Sequence, residues 1–215
     1  MVMKLYGLDI STCTRRAAVV MHEKKVPFEF VNVDLFKGEN KSPEYLAKQP
    51  FGQVPYLDDD GFILYESRAI ARYIATKYAD QGTPLIPKDM KAQALMDQAI
   101  SVEISDFNEY AEKAVAEMIF KPMRGMTPDK AIFDKLIAAL EMKLDVYEKI
   151  LSKQKYLAGN EITIADLFHL PYGSMLSAAG SDIMESKPNV KRWFHDISSR
   201  PSWMAVKDGV KTHSG

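Results

Sequence analysis

Two short strand-forming runs, Pro55–Asp58 and Phe62–Tyr65, stand on either side of Asp60-Gly61. An Asp-Gly step between such runs predicts a tight antiparallel hairpin, because that turn needs positive φ angles that glycine adopts at no steric cost. Upstream, Lys4-Leu5-Tyr6 is a strand candidate closed by Gly7. Residues 12–24 then place Ala17, Val20, Met21 and Lys24 at helical spacing, and Phe28–Asp34 (FEFVNVD) is aromatic and β-branched, as strands are. A strand, a helix and a second strand in that order imply parallel pairing through a right-handed crossover. Residues 37–41 form a polar loop, Ser42-Pro43-Glu44 opens a short helix with Pro at its first position, and a helix over 67–79 closes the segment.

The sum is βαβαββα within residues 1–80, a thioredoxin-like layout. Asp80-Gln81-Gly82-Thr83-Pro84 is rich in turn formers, so 81–88 reads as a linker. Beyond it no strand pattern survives. Helices are predicted over 89–120 and 128–151, with Pro122, Gly125 and Pro128 between them. Thr163-Ile164-Ala165-Asp166 has the form of a capping box opening a helix over 163–178, and further helices fit 188–199 and 201–207. The expected fold class is an α/β domain at 1–80 followed by an all-α domain at 89–215.

Charge excludes some partners. The chain has 28 Lys+Arg against 29 Asp+Glu, with 11 of each in residues 1–80, so neither part is polarised toward nucleic acid or a membrane surface. A single cysteine, Cys13, excludes an internal disulfide and fits a reducing compartment. The four histidines, at 22, 169, 195 and 213, have no metal-ligand spacing. The start, MVMKLYGLDI, lacks the apolar core of a signal peptide, and no apolar run nears the roughly 18 residues of a membrane span. A cytoplasmic protein is expected.

Residues 50–69, PFGQVPYLDDDGFILYESRA, carry the candidate site. Pro55 lacks an N–H and biases Val54 toward an extended shape, so Val54 can offer its own N–H and C=O outside the chain. Glu66-Ser67 precedes the apolar-periodic run Ala69, Ile70, Tyr73, Ile74. Ser67 is an N-cap candidate, and amides at a helix start favour an anion, while Glu66 can hold a cation. A backbone edge, a carboxylate grip and an ammonium grip suit a small zwitterionic peptide. On the plainer reading, Val-Pro is an ordinary hairpin entry and Ser67 only a cap. Ser11, where the first helix begins, is an N-cap by type. Arg15 and Arg16 read as an anion site, a solvated face or a buried interdomain pair, and Cys13 as packing.

The runs PFGQVP and YESRAI, with Ser11-Thr12-Cys13-Thr14-Arg15-Arg16 upstream, resemble the cytosolic glutathione transferases, most closely the phi class. The likeness continues through YLAGNEITIADLFHLP at 156–171 and covers nearly the whole chain. It implies an enzyme that conjugates glutathione, its cosubstrate, to small hydrophobic electrophiles, with no metal and no further cofactor; organic hydroperoxides are a second substrate class. Ser11 would be the catalytic residue, its hydroxyl stabilising the glutathione thiolate. Val54 would pair with the cysteinyl backbone, with Pro55 cis. Glu66 and Ser67 would hold the γ-glutamyl ammonium and carboxylate with Gln53 assisting, and Thr12 would bind glutathione near its thiol. Lys41 and Asn40 would meet the glycyl carboxylate, although many phi members carry His at the second position. Ile10 and Phe36, with Phe107, Met118 and Phe120, are the candidates for the electrophile pocket. Phe51 resembles the aromatic key of a homodimer interface. Two rivals are a carrier of small hydrophobic molecules and a thiol oxidoreductase using Cys13.

Overall fold

The hairpin forms as its turn chemistry requires. In the computed structural model, which describes residues 2–215, Asp60 and Gly61 both take positive φ, 54° and 89°. β1 (Met3–Gly7), α1 (Thr12–Glu23), β2 (Phe28–Asn32), α2 (Pro43–Leu46), β3 (Tyr56–Asp59), β4 (Phe62–Tyr65) and α3 (Ser67–Lys77) run in that order along the chain. The sheet runs β2-β1-β3-β4. β1 and β2 are parallel, with Leu5 opposite Phe30. β3 is antiparallel to both β1 and β4, with Leu57 opposite Leu5 and Leu64. The thioredoxin-like order is therefore the one the strand and turn signals imply. β2 is shorter than expected, because after Asn32 only Val33 still bonds back to the Gly7 carbonyl.

α1 and α3 pack against each other. Ala17, Val20 and Met21 on α1, Ile70 and Ile74 on α3, and Leu5, Phe28 and Leu57 on the strands are fully buried. Each large apolar side chain among them contributes about 1.5–3 kcal/mol by leaving water. That outweighs the few tenths by which helix propensities differ, so these short helices are held by their buried stripe.

The chain divides into two compact units, one of residues 87–199 and the other of 2–86 together with 200–215. α4 (Met90–Val102), α5 (Glu109–Val115), α6 (Lys121–Met123), α7 (Lys130–Leu151), α8 (Ile164–Leu167), α9 (Leu170–Gly173) and α10 (Pro188–Ser198) build the helical unit. α7 packs on α5 and α10, and α4 on α8. Two π-helical segments, Glu103–Asn108 and Ala116–Phe120, join α4, α5 and α6. The single helix expected over 163–178 is instead two short ones. Pro171 sits inside that run without an N–H, and the His169 N–H bonds to the Asp166 carbonyl, three residues back.

The last residues, including α11 (Pro201–Met204), rejoin the first unit. Arg15 Nη1 donates to the Lys207 carbonyl (2.8 Å), the Val210 N–H to the Asp9 carbonyl (3.1 Å), and Phe28 and His213 exchange both backbone bonds. Glu23 is buried under the Arg200 guanidinium, whose Nη2 donates to Oε2 at 2.8 Å, and beside the Ser202 hydroxyl. Burial opposes its ionisation, but the bonds from Arg200 and Ser202 prevail and hold its carboxyl below the usual range.

The ring of His22 lies 4.2 Å, centroid to centroid, from that of His213. Burial, and secondarily the neighbouring His213, push His22 down to about 4. Between the ordinary histidine value of about 6.5 and that point, the unfolded chain binds a proton that the folded chain does not. His22 therefore favours the fold fully above about pH 6.5, and the benefit is lost as pH falls toward about 4. Urea midpoints measured across that window should fall more steeply for the native sequence than for His22→Gln; parallel curves would refute the assignment.

Candidate active site

α1 starts at Ser11, whose extended backbone (φ −62°, ψ 131°) and side chain make it the N-cap. Its Oγ accepts the Thr14 N–H at 3.4 Å, a long bond, and the hydroxyl proton is left for another acceptor. The next piece of the site comes from the approach to β3. The Val54–Pro55 bond is cis, and among the described residues neither the N–H nor the C=O of Val54 makes an intrachain hydrogen bond. Tyr45 supports this strand entry by donating its hydroxyl to the Gln53 carbonyl at 2.6 Å.

At the end of β4 the chain turns sharply. Glu66 takes φ 71°, ψ 110°, a conformation that disfavours any residue with a Cβ. Glu66, not Ser67, is therefore the N-cap position of α3, and the expectation for Ser67 is corrected: it is the first helical residue. The turn leaves Glu66 exposed and Ser67 buried. Strain of this kind persists where the surroundings fix it, and ligand clamps are common such places.

A cavity of about 310 Å³ joins the last two of these pieces. Asn40, Gln53, Val54, Pro55, Glu66 and Ser67 line it, together with Cys13 from the first turn of α1. Leu35, Gln49, Gly52 and Arg68 complete the wall. Ser11, Thr12 and Lys41 are outside that lining; Ser11 is half-buried at the helix start, Thr12 is buried and Lys41 exposed. Arg68 is an addition to the expected set. It directly follows Glu66-Ser67, and a cation beside two ligand candidates is the signal that marks it. Arg15 and Arg16 are both buried, which removes the solvated-face reading.

Lys41 and Asn40 converge on one backbone oxygen. Lys41 Nζ reaches the Gly52 carbonyl at 3.1 Å and Asn40 Nδ2 reaches it at 2.6 Å. Gly52 itself has φ +60°, and a Cβ there would fall 2.5 Å from Lys41 Nζ and 2.8 Å from the Asn40 carbonyl oxygen. Gly52→Ala is thus expected to destabilise the fold by about 1–3 kcal/mol and to raise KM for a ligand held by Lys41 and Asn40. Urea denaturation and substrate titration check this together; a variant matching the native protein in both would exclude it.

The apolar candidates are spread over both units. Ile10 and Phe36 are exposed in the first. In the helical unit, Met118 and Phe120 are half-buried, whereas Phe107 is buried with its ring 4.6 Å from that of His169. All three lie in the π-helical segments. Phe51 is 64 % exposed, its ring centroid 6.1 Å from that of Tyr65 in an edge-to-face arrangement.

Residues 1–76 match the family model described as Glutathione S-transferase, N-terminal domain, and 107–201 the one for the C-terminal domain. The chain belongs to the glutathione S-transferase family. Within it this transferase is a phi-class member. It is 48 % identical over 195 residues to glutathione S-transferase PM239X14 of Arabidopsis thaliana, 89 % of each chain being covered. The crystal structure of glutathione transferase F7 from Populus trichocarpa superposes with a TM-score of 0.92 at 44 % identity, covering 96 % of the transferase and 98 % of that chain. Glutathione S-transferase I from maize, solved in complex with an atrazine glutathione conjugate, matches at 34 % identity with a TM-score of 0.89, covering 97 % of both. Among the described residues no helix of the transferase is long and apolar enough to cross a membrane.

Proposed function

We propose that this transferase activates the thiol of glutathione at Ser11 and joins it to hydrophobic electrophiles, with the tripeptide lying in the Val54–Glu66 cavity. The observation that carries this reading is the bare backbone pair of Val54 at the wall of a cavity that Glu66 and Ser67 also line. An extended peptide satisfies such a pair by antiparallel bonding through its cysteinyl residue. Its γ-glutamyl ammonium then meets Glu66 and its α-carboxylate Ser67, with Gln53 beside them, while the glycyl carboxylate draws Lys41 and Asn40 from the Gly52 carbonyl.

A free thiol titrates near 8.5 and is mostly protonated at neutral pH. Two pKa units of depression require about 2.7 kcal/mol of thiolate stabilisation. One hydroxyl bond to the anion supplies roughly 1.5–3 kcal/mol and the amino end of α1 about 0.3–1 kcal/mol more. With a chloroarene, the thiolate sulfur bonds to the ring carbon, chloride leaves, and the thiol proton passes to solvent. Ile10 and Phe36, both exposed in the first unit, are the proposed apolar contacts of the electrophile, and organic hydroperoxides are a second substrate class. The maize relative's complex with an atrazine glutathione conjugate supports conjugation of glutathione to an electrophile. The enzyme acts in the cytoplasm as a homodimer, with exposed Phe51 inserted into the second copy, and needs no metal.

The test is turnover of glutathione with 1-chloro-2,4-dinitrobenzene and several other electrophiles, beside glutathione binding measured by calorimetry. Turnover with binding supports the reading. Binding without turnover on any electrophile would make the protein a carrier instead.

A further inference from the structure

Two helices meet at one buried contact in the first unit. Arg16 of α1 is 1 % exposed, and its Nη1 donates to the Ser67 Oγ of α3 at 3.1 Å. The same nitrogen lies 3.5 Å from the Sγ of Cys13, which lines the cavity with Ser67. A guanidinium has donors only, so Ser67 must accept in this bond. A serine hydroxyl has a single proton, and one lone pair is now taken up by a cation. The proton is left to point at a different acceptor, and the neighbouring charge makes the hydroxyl a stronger donor.

From this contact we infer that Arg16 is a positioning residue for the amino-acid end of glutathione. It fixes Ser67 as a donor toward the γ-glutamyl α-carboxylate, and it ties the helix that carries Ser67 to the helix that begins at Ser11. The inference rests on the glutathione-binding reading of Ser67 given above. Arg16 acts through Ser67 and does not touch the substrate. Lysine cannot replace it, because one tetrahedral ammonium on a flexible stem does not hold the geometry of the planar fork.

The experiment uses glutathione and an analogue whose γ-glutamyl α-carboxylate is replaced by hydrogen, 4-aminobutyryl-Cys-Gly. KM and kcat are measured for both with the native enzyme, Ser67→Ala, Arg16→Gln, Arg16→Lys and the double variant Ser67→Ala/Arg16→Gln. Arg16→Lys serves in place of Arg16→Gln should the latter fail to fold. The native enzyme is expected to prefer glutathione by about tenfold or more in KM. Ser67→Ala and each Arg16 variant should raise KM for glutathione by about tenfold, with kcat falling no more than about threefold, and should lose the preference over the analogue. The double variant should be little worse than either single one, because both changes remove the same grip.

If Ser67→Ala loses the preference and the Arg16 variants keep it, the inference about Arg16 is overturned and the reading of Ser67 stands. If Ser67→Ala itself keeps the preference, the placement of glutathione falls, and the inference with it. Multiplicative effects in the double variant would also overturn it, since Arg16 would then act independently of Ser67.

Discussion

Replacement of Ser11 by alanine is expected to slow glutathione conjugation about tenfold at pH 6.5 and to leave glutathione affinity within about threefold. The loss should shrink as pH rises. If Ser11 depresses the bound thiol from about 8.5 to about 6.5, its removal cuts the thiolate at pH 6.5 roughly fiftyfold. The thiolate of the variant is more basic and intrinsically more nucleophilic, which returns part of that loss. Near pH 9.5 both enzymes hold a nearly full thiolate, and the deficit closes. Loss of the N-cap bond from Ser11 to the Thr14 N–H removes only about 1 kcal/mol of stability, too little to unfold the chain. The decisive measurement is the pH profile of kcat for both proteins. A deficit that stays constant from pH 6 to 9.5 would mean that Ser11 works by some means other than thiol acidity.

The second large effect concerns stability. Asp166 is fully buried, and its carboxylate accepts the Leu157 N–H (3.0 Å), the Thr163 N–H (2.9 Å) and the Trp193 indole N–H (2.9 Å). The Thr163 hydroxyl adds a fourth bond at 3.2 Å. Asp166→Ala strands those donors at about 1–3 kcal/mol each, less whatever an entering water recovers. A loss of about 3–5 kcal/mol for the helical unit is expected. The two tryptophans allow that unit to be followed separately: Trp193 lies in it and Trp203 in the other. In a Trp203→Phe background, fluorescence during urea unfolding reports Trp193 alone. A shift in midpoint equivalent to less than about 1 kcal/mol would show that the carboxylate is dispensable.

What the sequence disclosed and what it withheld divide along physical lines. The hairpin, the Ser11 cap and the exposed edge at Val54 depend on a few adjacent residues, so their signals are local. Glu66 defeats the same logic. A glutamate at positive φ has no propensity signal, and only the competing demands of β4 and α3 put it there. The apolar residues at 107, 118 and 120 are candidates on ordinary helical spacing. Each π-helical segment widens the turn and rotates the residues beyond it, so the spacing no longer gives the face. Phe107 is packed against His169, while Met118 and Phe120 are half-buried. Burial is one of three readings the sequence allows for Arg15 and Arg16, and it is not singled out because their partners at Lys207 and Ser67 are remote in sequence.

The return of residues 200–215 to the first unit bears on how the chain is made. A ribosome releases residues 2–86 first but withholds Arg200, Ser202 and the Lys207 carbonyl until the whole helical unit has been made. Until then the Glu23 carboxylate and the Arg15 guanidinium have no access to those partners. The helical unit, contiguous from 87 to 199, is complete before its predecessor. Of the two units, the one whose translation begins earlier is thus the later to close. A fragment cut at residue 86 would also lack the strand-edge cover that His213 gives to Phe28, which makes it a poor transplantable module.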